Sequence, residues 1–145
     1  MINSGLMTWQ NWALLSAVFA ALTAIFAKVG VSDINSDMAT LIRTAIILCV
    51  LALIVLATGQ WHELSGVSSR TWLFLTLSAL ATGASWVCYF RALKIGDAAR
   101  VAPVDKLSIV LVAVFGVLML GERLSAANWL GVGLCTAGIM LIAVR

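Results

Sequence analysis

Trp86, Tyr89 and Phe90 stand at i, i+3 and i+4, the spacing that brings three aromatic rings onto one helix face. Such a wall can stack a flat or cationic group, although core or lipid contact is its commoner use. Arg43 lies about one and a half turns into the expected second helix, roughly 8 to 9 Å at 1.5 Å per residue. A guanidinium there either binds an anionic group or a carbonyl in a cavity, or snorkels to lipid headgroups. Asp105 and Lys106 pose a similar choice between a structural cap or ion pair and a coupling-ion site. The one histidine, His62, sits in a short connection with no Ser, Cys or Asp placed to complete a triad. No HExxH, P-loop or dinucleotide fingerprint occurs. Cys49, Cys88 and Cys135 fall in different apolar stretches without CxxC spacing, so they read as packed thiols. The expectation is no catalytic residue, no metal and no cofactor.

The elements that must position these residues are apolar throughout. Met1 to Ala27, Thr44 to Trp61, Thr71 to Phe90, Leu107 to Gly121 and Leu124 to Val144 contain no Lys, Arg, Asp or Glu. A helix needs roughly 20 mostly apolar residues to cross the hydrocarbon core. Four stretches reach or approach that length, and the one ending at Gly121 must borrow Pro103, Asp105 and Lys106, which places charges at the membrane boundary. With 63% hydrophobic and 10% charged residues and a mean hydropathy of +1.10, the chain could not stay in water. The connections are too short for an extramembrane core. The fold class is therefore all-α: a polytopic membrane protein with five transmembrane helices in one bundle, a single domain over 1–145. The helices are expected at about 9–29, 38–58, 70–93, 103–121 and 126–144. The first stretch lacks a basic n-region and a small-residue cleavage pattern, so it reads as a retained helix. Met7-Thr8-Trp9 also reads as a start, with residues 1–6 as an upstream extension.

Five spans put Arg70 and Arg123 on the N-terminal side and Lys28, Arg43, Arg91, Lys94, Arg100, Lys106 and Arg145 on the other. The positive-inside rule makes the second side cytoplasmic, leaving the N-terminus outside. Trp9, Trp12, Trp61, Trp72 and Trp129 gather at the outer boundary as an interfacial belt, and Trp86 alone lies away from it. The nine basic residues against six acids follow from this topology, and nucleic-acid binding is not indicated.

Local signals delimit the helices. Ser36 or Asp37 is expected to cap helix 2, and Gly59 to end it. Pro103 is expected at the first position of helix 4, where its missing N–H costs nothing, which places Asp105 in that helix's first turn. Gly121 stops helix 4, and Ser125 caps helix 5. Ser16, Ala20 and Ala24 form a small-residue stripe, as do the pairs Ala127/Gly131 and Gly133/Ala137, and such stripes let helices approach in lipid. Asp33, Asp37, Glu63, Asp97, Asp105 and Glu122 all lie at or near span ends. A proton-coupled mechanism centred on a midplane carboxylate therefore finds no residue to use.

The run Ala92-Leu93-Lys94-Ile95-Gly96-Asp97-Ala98-Ala99-Arg100-Val101-Ala102-Pro103 resembles the junction between helices 3 and 4 of EamA-type transporters of the drug/metabolite transporter superfamily. Gly121-Glu122-Arg123-Leu124-Ser125, then Asn128-Trp129-Leu130-Gly131-Val132 and Gly138, looks like that family's "GE" turn and final helix. Arg43 near the start of helix 2 agrees with the same pattern. The resemblance implies a solute carrier of the inner membrane, moving metabolites, amino acids or drugs. It also implies two five-helix repeats of opposite topology, of which 145 residues hold one. A working pathway would then need a homodimer or a second five-helix subunit in the lipid bilayer, with its site between the two. The four-helix small multidrug resistance relatives use a glutamate in helix 1, which Met1 to Ala27 lacks. Glu122 reads as a turn residue, and Pro103 as fixing where helix 4 begins, so that altering it would disturb folding before specificity. The alternative is a non-transporting accessory subunit, which would fill the space beside Arg43, Trp86 and Tyr89 that a carrier would leave as a cavity.

Overall fold

A computed structural model of the chain describes residues 8–61 and 66–144; the candidate starts Met1 and Met7, and His62 and Glu63, lie outside the described residues. The described residues form helices and no strand. They are α1 (Trp9–Gly30), α2 (Ser36–Ala57), α3 (Ser69–Ile95), α4 (Ala98–Asp105), α5 (Ser108–Leu120) and α6 (Ala126–Val144). α4 and α5 follow one another as a single 23-residue span, Ala98–Leu120, so five segments are long and apolar enough to cross a membrane. At 22 residues, α1 and α2 would each reach about 33 Å, matching a hydrocarbon core of about 30 Å.

The helix ends explain themselves locally. Asn35, not Ser36 or Asp37, caps α2: its Oδ1 accepts from the amides of Asp37 at 2.8 Å and Met38 at 3.4 Å. Its extended backbone (φ −62°, ψ 135°) aims the side chain back at the first turn. Ser68 accepts from the Thr71 amide ahead of α3, and Ser125 does the same for Asn128 ahead of α6. Gly59 and Gly121 take left-handed φ of 70° and 69°, a conformation that a Cβ would penalise, and each closes the helix before it.

Helix 4 departs from expectation. It begins at Ala98, because the amides of Arg100 and Val101 close onto the Asp97 carbonyl at 3.0 and 2.9 Å. Pro103 therefore lies inside the helix at its sixth residue, not at its first. Beyond it the amides of Lys106, Leu107, Ile109 and Val110 each reach back only three residues, at 2.9 to 3.0 Å. That tight stretch separates α4 from α5 within one span. Asp105 is then the last residue of α4 and not in that helix's first turn.

Two compact units are present. One comprises residues up to Lys28 together with Gly96 onward; the other runs from Val29 to Ile95. In the first, α6 packs against α4 and α5, Arg100 Nη2 donates to the Ala143 carbonyl at 3.1 Å, and Lys28 Nζ donates to the Gly96 carbonyl at 2.8 Å. In the second, α2 packs against α3, with Val31 and Leu93 fully buried. Side chains such as Leu48, Leu53, Leu118 and Leu141 are exposed, as lipid-facing side chains should be. Of the small-residue stripes, Ala24 is buried, but Ser16 and Ala20 are exposed. A Cβ added at Gly131, Gly133 or Gly138 would meet nothing within 4 Å, so the described chain does not itself fill those seams.

Candidate functional site

The α2/α3 unit collects the aromatic and cationic residues. Its loop end is anchored twice. The Arg91 guanidinium forks onto the Asp37 carboxylate, Nε to Oδ1 at 2.9 Å and Nη2 to Oδ2 at 2.7 Å. Lys94 Nζ donates to the carbonyls of Val31 at 2.7 Å, Ser32 at 2.6 Å and Ile34 at 3.1 Å. These carbonyls follow the end of α1, where helical partners run out and a lysine ammonium is well placed to satisfy them. The start of α2 is thereby held against the last turns of α3.

Deeper along that seam lies Arg43, seven residues or roughly 10 Å past the start of α2. Its Cζ stands 4.1 Å from the centroid of the Trp86 ring and 5.6 Å from that of Phe90. Phe90 is 3% exposed and Trp86 is half-buried, so the guanidinium rests on a ring that packs and a ring that is partly open. Tyr89, also half-buried, meets Phe90 edge-on with centroids 6.4 Å apart and planes at 65°. The structure thus brings Arg43, Trp86 and Phe90 together and keeps Tyr89 beside them through Phe90. Arg43 Nη1 is shielded from solvent and has no hydrogen-bond partner among the described residues. A desolvated cation–π contact contributes about 2 kcal/mol, and an arginine at the centre of a spanning helix costs about 2.5 to 3.5 kcal/mol or more; Arg43 lies short of that centre.

The remaining candidates lie apart from this cluster in sequence and in role. Asp105 and Lys106 pair with each other at 3.1 Å where α4 ends, both side chains partly exposed. Glu122 turns back onto α5: its amide donates to the Gly116 carbonyl at 3.1 Å, and its carboxylate lies over Gly116. Gly131 and Gly138 line open faces of α6. Cys49, Cys88 and Cys135 are free and exposed, and no group of metal-binding side chains occurs among the described residues. Sequence reasoning missed the Asp37–Arg91 fork, the Lys94 latch and the Gly116 cradle. Only the first had a usable signal, two opposite charges at facing ends of consecutive spans.

Comparison with known proteins adds an independent line. The family model described as the EamA-like transporter family matches residues 7–144. An uncharacterised transporter in the cobO 3′ region of a Sinorhizobium species is 72% identical over 137 residues, covering 94% of this chain and 97% of that protein. A probable 4-amino-4-deoxy-L-arabinose-phosphoundecaprenol flippase subunit ArnE from Hamiltonella defensa is 27% identical over 86 residues, covering 59% of this chain and 76% of the relative. No solved structure matches the chain.

Proposed function

Since the chain belongs to the EamA-like transporter family, we propose that this multi-pass membrane transporter carries a small organic solute across the inner membrane by alternating access. It acts as one half of a pair of five-helix chains, without enzymatic chemistry. The observation that carries this reading is the break in the fourth span. A 3₁₀ stretch after Pro103, between α4 and α5, interrupts a segment that lipid would otherwise favour as one continuous helix. Interrupted spans are the moving and binding elements of carriers built from repeats. An accessory subunit has no need of one.

Support for a pair is of two kinds. The open glycine faces of α6 offer close backbone approach to another helix. The similar protein from Hamiltonella defensa is named a flippase subunit, a part of something larger. The solute passes along the seam holding Arg43, Trp86 and Tyr89, with the N-terminus outside and the C-terminus in the cytoplasm.

Deletion of the gene in its native host tests the reading, with untargeted profiling of solutes in cells and medium. A reproducible, solute-specific redistribution that is restored by the intact chain is expected. Identical profiles with and without the chain would favour the accessory role.

A further inference from the structure

Resting on the carrier reading above, we infer that Arg43 is the recognition point for an oxyanion, a carboxylate or phosphate group borne by a molecule with an apolar or flat body. The inference follows from which cations of residues 29–95 already have partners; Arg70, at the start of α3 with its Cζ 5.9 Å from the Phe74 ring centroid, is exposed and water can satisfy it. Arg91 is engaged by the Asp37 carboxylate through two hydrogen bonds. Lys94 is engaged by three carbonyl oxygens. Arg43 has neither acid nor carbonyl: ring faces hold it at 4.1 and 5.6 Å, and its shielded Nη1 finds no acceptor among the described residues. Asp37, six positions earlier on the same helix, is already bound to Arg91.

The chemistry of the missing partner follows from the guanidinium. Two ring centroids lie within 5.6 Å of its Cζ, and the N–H edge of a guanidinium matches two oxygens of a carboxylate or phosphate. A neutral carbonyl would satisfy one donor and leave the charge uncompensated in a region poor in water. A cationic group would be repelled. Trp86, half-buried beside Arg43, offers ring surface to the body of the bound molecule, whereas Phe90 is committed to packing.

Calorimetric titration of the purified chain in a neutral detergent tests this with benzoate, phenyl phosphate and the neutral isostere benzamide. One or both anions should bind saturably and at least about tenfold more tightly than benzamide. Arg43→Gln should weaken anion binding by about 10- to 100-fold, the equivalent of one or two charge-assisted hydrogen bonds. Arg43→Lys, which keeps the charge without the fork, should retain part of it. The benzoate-to-benzamide preference is read on the unaltered chain, so it stands even if a variant fails to fold. A second arm separates the two sources of such a group. If phosphatidylglycerol added to the micelles competes with benzoate, and its retention in native mass spectrometry drops in Arg43→Gln, the oxyanion is a lipid phosphate. Benzoate binding that is indifferent to the lipid makes it a soluble solute. Equal binding of benzoate and benzamide, anion binding unchanged in Arg43→Gln, or no saturable anion binding together with no Arg43-dependent lipid retention would overturn the inference. None of these results decides the metabolite profiles, which compare cells with and without the intact chain and use no Arg43 variant, so the carrier reading stands or falls separately.

Discussion

The carboxylate of Glu122 occupies the space that a side chain at residue 116 would need: a Cβ built on Gly116 would stand 2.6 Å from Glu122 Oε2. The same glutamate's amide returns to the Gly116 carbonyl, so backbone and side chain fold back onto α5 together. Glu122 is exposed and its carboxyl end is flexible, which lets it move aside at little cost. Gly116→Ala should therefore leave thermal stability in detergent nearly unchanged, with any strain offset by the gain of about 1 kcal/mol from replacing glycine inside a helix. If transport nevertheless falls, the position of the Glu122 carboxylate matters beyond the turn. A marked loss of stability would show that the carboxylate cannot shift.

Pro103 lies inside α4, just ahead of the break in the fourth span. Replacing it with alanine restores an N–H where a helix interior normally has one, and relieves a penalty of about 3 kcal/mol less whatever the present geometry already accommodates. Pro103→Ala should raise the unfolding temperature and slow amide exchange at residues 106–110. It should slow transport if the break moves. Faster exchange or a lower unfolding temperature would contradict the hinge.

Lys94 ties three carbonyls past the end of α1 to the end of α3. Because Lys94 is exposed, water replaces part of what is lost on substitution, so Lys94→Met should cost about 1 to 2 kcal/mol. Differential scanning fluorimetry of the detergent-solubilised variant reads this directly. An unchanged unfolding temperature would mean that the latch contributes nothing to the fold.

Topology and pairing are tested with cysteines at Thr8 and Val144, on a background with Cys49, Cys88 and Cys135 replaced. Thr8→Cys should label from outside and Val144→Cys only from the cytoplasm. Labelling of both positions from both sides would instead identify an inverted homodimer. Leucine at Gly131 and Gly138 should weaken association between chains in cross-linking while leaving the monomer's unfolding temperature within a few degrees. Undiminished cross-linking would remove the α6 face from the interface.

Periodic and compositional features need no partner, and they were legible from residue order alone. Five apolar runs, the glycine stops at Gly59 and Gly121 and the Ser125 cap each depend on neighbours within a turn or two. Trp86 and Phe90 share a face because four residues make about one helical turn. Tertiary structure decided the rest, because the relevant pairs lie far apart in sequence: Asp37 with Arg91, Arg43 with Trp86, Lys94 with the Val31 carbonyl. It also moved Pro103 from a helix start into a helix interior, since Asp97 had already begun the turn six residues earlier, a local competition that residue preferences rank without resolving. Sequence order placed a guanidinium within a spanning helix. Only the packing of α2 against α3 decided that it meets ring faces and not a carboxylate, because the nearby acid on α2 pairs with Arg91 instead.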